Sequence, residues 1–144
     1  MKKLFYTLMM IVVVATLFAN AAQAQTSSHQ LVIAKIPFAF TVGKTNLPAG
    51  KYTFTVVNPT SDRKVLQIRS VDGRASTMIL TNSVNGILVE KAKLVFERYD
   101  DLYFFTYAQM AGESTSLAAL WSKSERKQMI AKATKKSVIV ISAG

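Results

Sequence analysis

The chain has 144 residues, half of them hydrophobic, with 18 Lys plus Arg against eight Asp plus Glu, a formal charge of +10, and no cysteine. That length bounds the fold to one ordinary domain, and the missing cysteines exclude a disulfide framework and a lipid-modified cysteine at the mature N-terminus. His29 is the only histidine, so the usual serine, cysteine and zinc constellations lack their parts.

Lys2 and Lys3, an apolar run from Leu4 to Ala19, and Ala22-Gln23-Ala24 read as an export signal with its cleavage site after Ala24. The apolar run is 16 residues, includes Thr7 and Thr16 and passes into small and polar residues, whereas a spanning helix wants about 20 apolar residues. The expectation is a cleaved signal peptide over 1–24 and a single β-rich domain over 25–144, exported to the periplasm or secreted and not integral to the membrane. Loss of Lys2 and Lys3 lowers the +10 to +8. A basic protein outside the cytoplasm meets anionic lipids and acidic polymers before it meets nucleic acid. The expected partner is therefore an anionic envelope polymer or lipid surface, with no nucleic acid and no cofactor.

Gln30 to Ile36 is the first strand candidate; Pro37 interrupts its ladder, and Phe38, Phe40 and Val42 share one face of the continuation. Asn46-Leu47-Pro48-Ala49-Gly50 is a turn cluster, after which Tyr52, Phe54 and Val56 alternate with Lys51, Thr53 and Thr55 as a half-buried strand. Asn58 to Asp62 closes it. Strands over 64–70 and 74–81 flank Asp72-Gly73, a strong hairpin signal because both residues tolerate positive φ. Asn85-Gly86 suggests a turn before a strand that includes Leu94, Val95 and Phe96, and Tyr99-Asp100-Asp101 separates it from Leu102 to Met110. There Leu102, Tyr103, Phe104, Phe105 and Tyr107 put apolar bulk on both sides, the pattern of a strand covered on both faces.

The pattern weakens from Gly112 to Leu120. Ser122-Lys123-Ser124-Glu125 then fits a capping box, predicting a short helix from Lys123 to Ala133 with Met129, Ile130 and Ala133 on one packing face. Val138, Ile139, Val140 and Ile141 in succession predict a terminal strand over 137–142 that is buried on both faces. The fold class is all-β, an antiparallel sandwich or partly closed barrel of about seven strands with one short C-terminal helix.

Ile36-Pro37-Phe38-Ala39-Phe40, Leu47-Pro48-Ala49-Gly50-Lys51-Tyr52, Leu94-Val95-Phe96-Glu97-Arg98-Tyr99 and Ser124-Glu125-Arg126-Lys127 carry a resemblance. In that order they resemble a group of small exported bacterial β-proteins of unknown function, over most of residues 31 to 130. The resemblance implies a secreted or periplasmic β-domain followed by a helix, and it carries over no catalytic residue.

Candidate chemistry is sparse. His29 lies five residues beyond the expected cleavage site, a poor place for a positioned base. Asp100-Asp101 is the only adjacent carboxylate pair; in this spacing it reads as a hairpin tip, and the spaced carboxylates and glycine of calcium loops are absent. No catalytic, cofactor or metal residues are assigned. Tyr99, Tyr103, Phe105, Tyr107 and Trp121 could stack on a sugar ring or an apolar ligand, with Tyr103, Phe105 and Tyr107 on one strand face as the candidate ligand surface; core packing accounts for the same residues. Lys123, Arg126, Lys127, Lys132, Lys135 and Lys136 are the candidate contacts to an anionic surface, within 14 residues opposed only by Glu125. On a helical wheel they spread around the polar circumference, as on a solvated helix. The leading expectation is an exported, non-enzymatic domain binding anionic envelope material. The alternatives are a self-assembling structural subunit that pairs through its C-terminal strand and an enzyme of unknown type.

Overall fold

The computed structural model describes residues 29–131 and 136–143, the side chains of 29–31, 128–130 and 136 excepted. Residues 1–24 of the expected signal, and Lys132, Ala133 and Lys135, lie outside the described residues. So do the side chains of Met129 and Ile130, on which the helix-docking expectation rests.

The described strands run in the order β1 (His29–Ile36), β2 (Phe40–Val42), β3 (Thr45–Leu47), β4 (Gly50–Val56), β5 (Lys64–Ser70), β6 (Ser76–Asn85), β7 (Ala92–Tyr99), β8 (Leu102–Gln109) and β9 (Thr115–Ala119). A helix, α1 (Lys123–Ala131), and a last strand, β10 (Lys136–Ala143), complete the chain order. The class is all-β. Ten strands replace the expected seven or so, the additions being β2, β3 and the weakly patterned β9.

All ten strands belong to one sheet. Its main path is β1-β4-β5-β6-β9-β8-β7-β10, with every neighbouring pair antiparallel. The path curls until β10 lies beside β1, but no hydrogen-bonded ladder joins them, so the sheet is not closed. Because β7 occupies one edge of β8 along its length, β9 and β2 share the other. β9 takes Tyr107 to Gln109, and β2 makes a parallel bridge from Thr41 to Phe104, carrying β3 beyond it. That bridge makes the sheet mixed where an antiparallel one was expected.

The concave face holds the core. In β4, Tyr52, Phe54 and Val56 are buried, as are Leu66 and Ile68 in β5, following period-two alternation. Phe96 of β7 sits among the aromatics, meeting Phe38, Phe40 and Phe105 edge to face at 5.3, 5.4 and 5.7 Å, an arrangement the ring quadrupoles favour. Two extra residues break the alternation. Leu31 is bulged out of the β1–β4 register, and Thr106 out of β7–β8, where Val95 pairs with Tyr107 but Phe96 pairs with Phe105. The bulge at Thr106 makes Phe105 and Ala108 the buried inward residues of β8. Only part of β8 is covered on both sides: Leu102 is exposed, and Tyr103, Phe104 and Tyr107 are half-buried.

The Asp72-Gly73 hairpin forms with a five-residue connection, and only Gly73 takes positive φ, at 75°. Asp72 works through its side chain, accepting from the Ser70 hydroxyl at 2.7 Å and the Arg74 backbone N–H at 3.0 Å. The tip between β7 and β8 is the two-residue turn Asp100-Asp101, with Asp100 at φ 53°. β10 departs from expectation. Val138 and Val140 are 59% and 52% exposed, because β10 ends the path and its outer face meets no covering layer among the described residues.

Candidate functional site

The helix start is built as its sequence predicts. The Ser122 backbone N–H donates to the Glu125 carboxylate at 2.7 Å, and the Glu125 N–H donates to the Ser122 hydroxyl at 3.2 Å, the reciprocal capping box. Ser122, through its hydroxyl and then its backbone N–H, holds the Glu125 carboxyl below its ordinary pKa, and the charge of Lys44 lowers it further. Lys44, in the turn between β2 and β3, therefore stands on the flank of α1. No local pattern in the sequence links it to a helix some 80 residues later.

Lys123, Arg126 and Lys127 are exposed on α1. The ion pairs resolved among the described residues are Arg74–Asp72 at 3.9 Å and Arg98–Asp101 at 3.7 Å, so none of these three cations is neutralised by a salt bridge there. Lys123 and Arg126 fall in the first turn of a nine-residue helix, where the macrodipole disfavours positive charge, and Lys127 lies at its centre. Capping, not charge, starts this helix. Of the remaining predicted contacts, Lys132 and Lys135 lie outside the described residues, and Lys136 opens β10 opposite Tyr99.

The aromatic candidates do not form one surface. Phe105 is wholly buried in the core. Tyr103 is half-buried and stacked on Phe38 at 3.9 Å with the planes 12° apart, and the Arg98 guanidinium lies 5.5 Å from its ring centroid. Tyr107, beyond the Thr106 bulge, pairs with Val95 and Ala118, away from the concave face. Phe104 links Tyr99 and Trp121 in a second cluster at 5.8 and 5.9 Å.

At the β7–β8 tip, Arg98 donates from Nε to the Asp100 carbonyl at 2.6 Å and approaches Asp101, while the Tyr99 hydroxyl donates to Glu97 at 2.8 Å. The two Arg98 contacts brace the Asp100-Asp101 turn, while Glu97 is engaged from within β7. Among the described residues no three His, Asp or Glu side chains cluster as metal ligands, and no helix is long and apolar enough to cross a membrane. In comparisons with known proteins, no family model, no curated protein and no solved structure matches the chain.

Proposed function

We propose that this is an exported, non-enzymatic domain that holds anionic cell-envelope material against the cations of α1. The observation that carries this reading is the set Lys123, Arg126 and Lys127, exposed and outside any described ion pair, the first two in the turn where they oppose the helix dipole. Lys44 adds a cation from a different part of the sheet. Charge at such positions does little for the helix and suits attraction of a polyanion. The signal-like segment over 1–24 supports export, as does the resemblance to small exported β-proteins.

The test is retention of the purified chain on phosphatidylglycerol vesicles and on an acidic polysaccharide across a salt series. A variant with Lys44, Lys123, Arg126 and Lys127 changed to Glu is run in parallel. Retention should fall steeply as salt shortens the screening length to about 8–10 Å and should be lost in the variant. Retention that is indifferent to both sinks the proposal.

A second reading, self-assembly through β10, draws on the exposed Val138 and Val140 and on the edge of β10 that carries no ladder among the described residues. Val140→Lys should convert an assembled species to a smaller one in sedimentation. A chain that sediments as a monomer before the substitution removes this reading.

A further inference from the structure

We propose that one end of the curled sheet, where β4 and β8 finish and β5 and β9 begin, binds a small amphiphilic carboxylate. Its apolar body would rest on Val56, Leu117 and Met110, and its carboxylate would sit on Lys64. This site is separate from α1 and stands whether or not the polyanion reading does.

A pocket of about 220 Å³ opens there. Val56 and Leu117 are core residues that reach its floor, above the fully buried Ala108, and Met110 supplies a side chain that adapts to irregular ligands. A cavity of about 150 Å³ is enough to hold benzene, so the space suits a monocyclic ring or a short aliphatic chain. Lys64 decides the polar end. Leu66, Ile68 and Ser70 are buried on the concave face of β5, and period-two alternation gives Lys64 the same side. It is half-buried, lines the pocket and makes no ion pair among the described residues. An ammonium beside an apolar floor offers an amphiphilic carboxylate a charge-assisted hydrogen bond and an apolar contact at one place.

The walls are fastened before any ligand arrives. The Thr81 hydroxyl, itself buried, donates to the Lys64 carbonyl at 2.8 Å and fixes the start of β5. The Gln109 side-chain amide donates to the carbonyls of Ile87 and Glu113 at 2.8 and 2.9 Å, clamping the Glu113 loop at the rim to the segment after β6. The Gly86 N–H to Ser114 carbonyl bond at 2.7 Å and the Gly112 N–H to Val89 carbonyl bond at 2.8 Å complete the clamp. Glu113 also lines the pocket, but from an exposed loop position, where water screens its charge.

The test is titration of the full chain with octanoate and, separately, with octanol, followed by amide chemical shifts. The variants are Lys64→Met, which keeps the aliphatic stem, Lys51→Met as an exposed control, and Leu117→Trp to fill the pocket. Octanoate should shift amides of Val56, Lys64 and 108–117 saturably. Lys64→Met should weaken octanoate about tenfold and leave octanol unchanged, Lys51→Met should change neither, and Leu117→Trp should block both. No saturable shift, or equal loss of octanoate in the two lysine variants, overturns the proposal.

Discussion

β4 and β10 are both short strands rich in apolar residues, yet they meet opposite fates. β4 lies between β1 and β5, and Tyr52, Phe54 and Val56 are buried beneath a ladder on each edge. β10 has four consecutive apolar residues, a ladder on one edge only among the described residues, and Val138 and Val140 in water. Apolar content makes a strand, but the number of neighbours decides what the strand buries. A side chain on the concave face of a path interior loses nearly all its exposure, whereas one on the outer face of the last strand is covered only if another element reaches it.

The largest expected effect tests that contrast directly. Phe54→Ala should lose about 3–5 kcal/mol in denaturant unfolding, while Val140→Ala should stay within about 0.5 kcal/mol of the parent. A comparable loss at Val140 would mean that the outer face of β10 is covered, and the comparison would collapse. Next comes the hairpin that places β5 beside β4. An added Cβ at Gly73 would meet only the Arg69 guanidinium at 3.6 Å, an ordinary contact, so Gly73→Ala should lose about 1–2 kcal/mol through its positive φ alone. Relief of that loss by Gly73→Asn, which tolerates this conformation better, would confirm the cause.

The smallest effect belongs to the helix leading toward β10. Ser122→Ala should lose about 1 kcal/mol of helix stability, read as faster hydrogen exchange in α1. Its pH dependence has a definite sign. The Glu125 pKa is lowered in the folded chain, by Ser122 first, so the stabilisation is present above the ordinary glutamate value of about 4.3 and is lost as pH falls through the lowered value. Parent and Ser122→Ala should therefore converge in acid. A gap that persists unchanged below that range would assign the cap to the hydroxyl alone.

Local features were legible in the sequence. The alternation of Tyr52, Phe54 and Val56, the Asp72-Gly73 turn and the Ser122-Glu125 box each depend on residues a few positions apart, and each forms. The bulge at Thr106 was not legible, since a one-residue slip leaves no mark in an already apolar run; it moves Tyr107 off the face shared by Tyr103 and Phe105. The exposure of Val138 and Val140 depends on strand order, which periodicity does not encode. Lys44 reaches α1 only through the placement of the β2–β3 hairpin on β8. Lys64 could have been found: it falls two residues before Leu66 and four before Ile68, on the parity of the core.

The meeting of β1 and β10 has a consequence for chain connectivity. Seven antiparallel steps separate them along the sheet, so β1 begins and β10 ends at the same end of the molecule. A short linker from Ala143 to His29 would close that gap, and new termini could be opened in the exposed stretch at 60–63 without cutting a strand. Such a circular permutant would retain the whole hydrogen-bonded path while reversing the order in which its two ends are made.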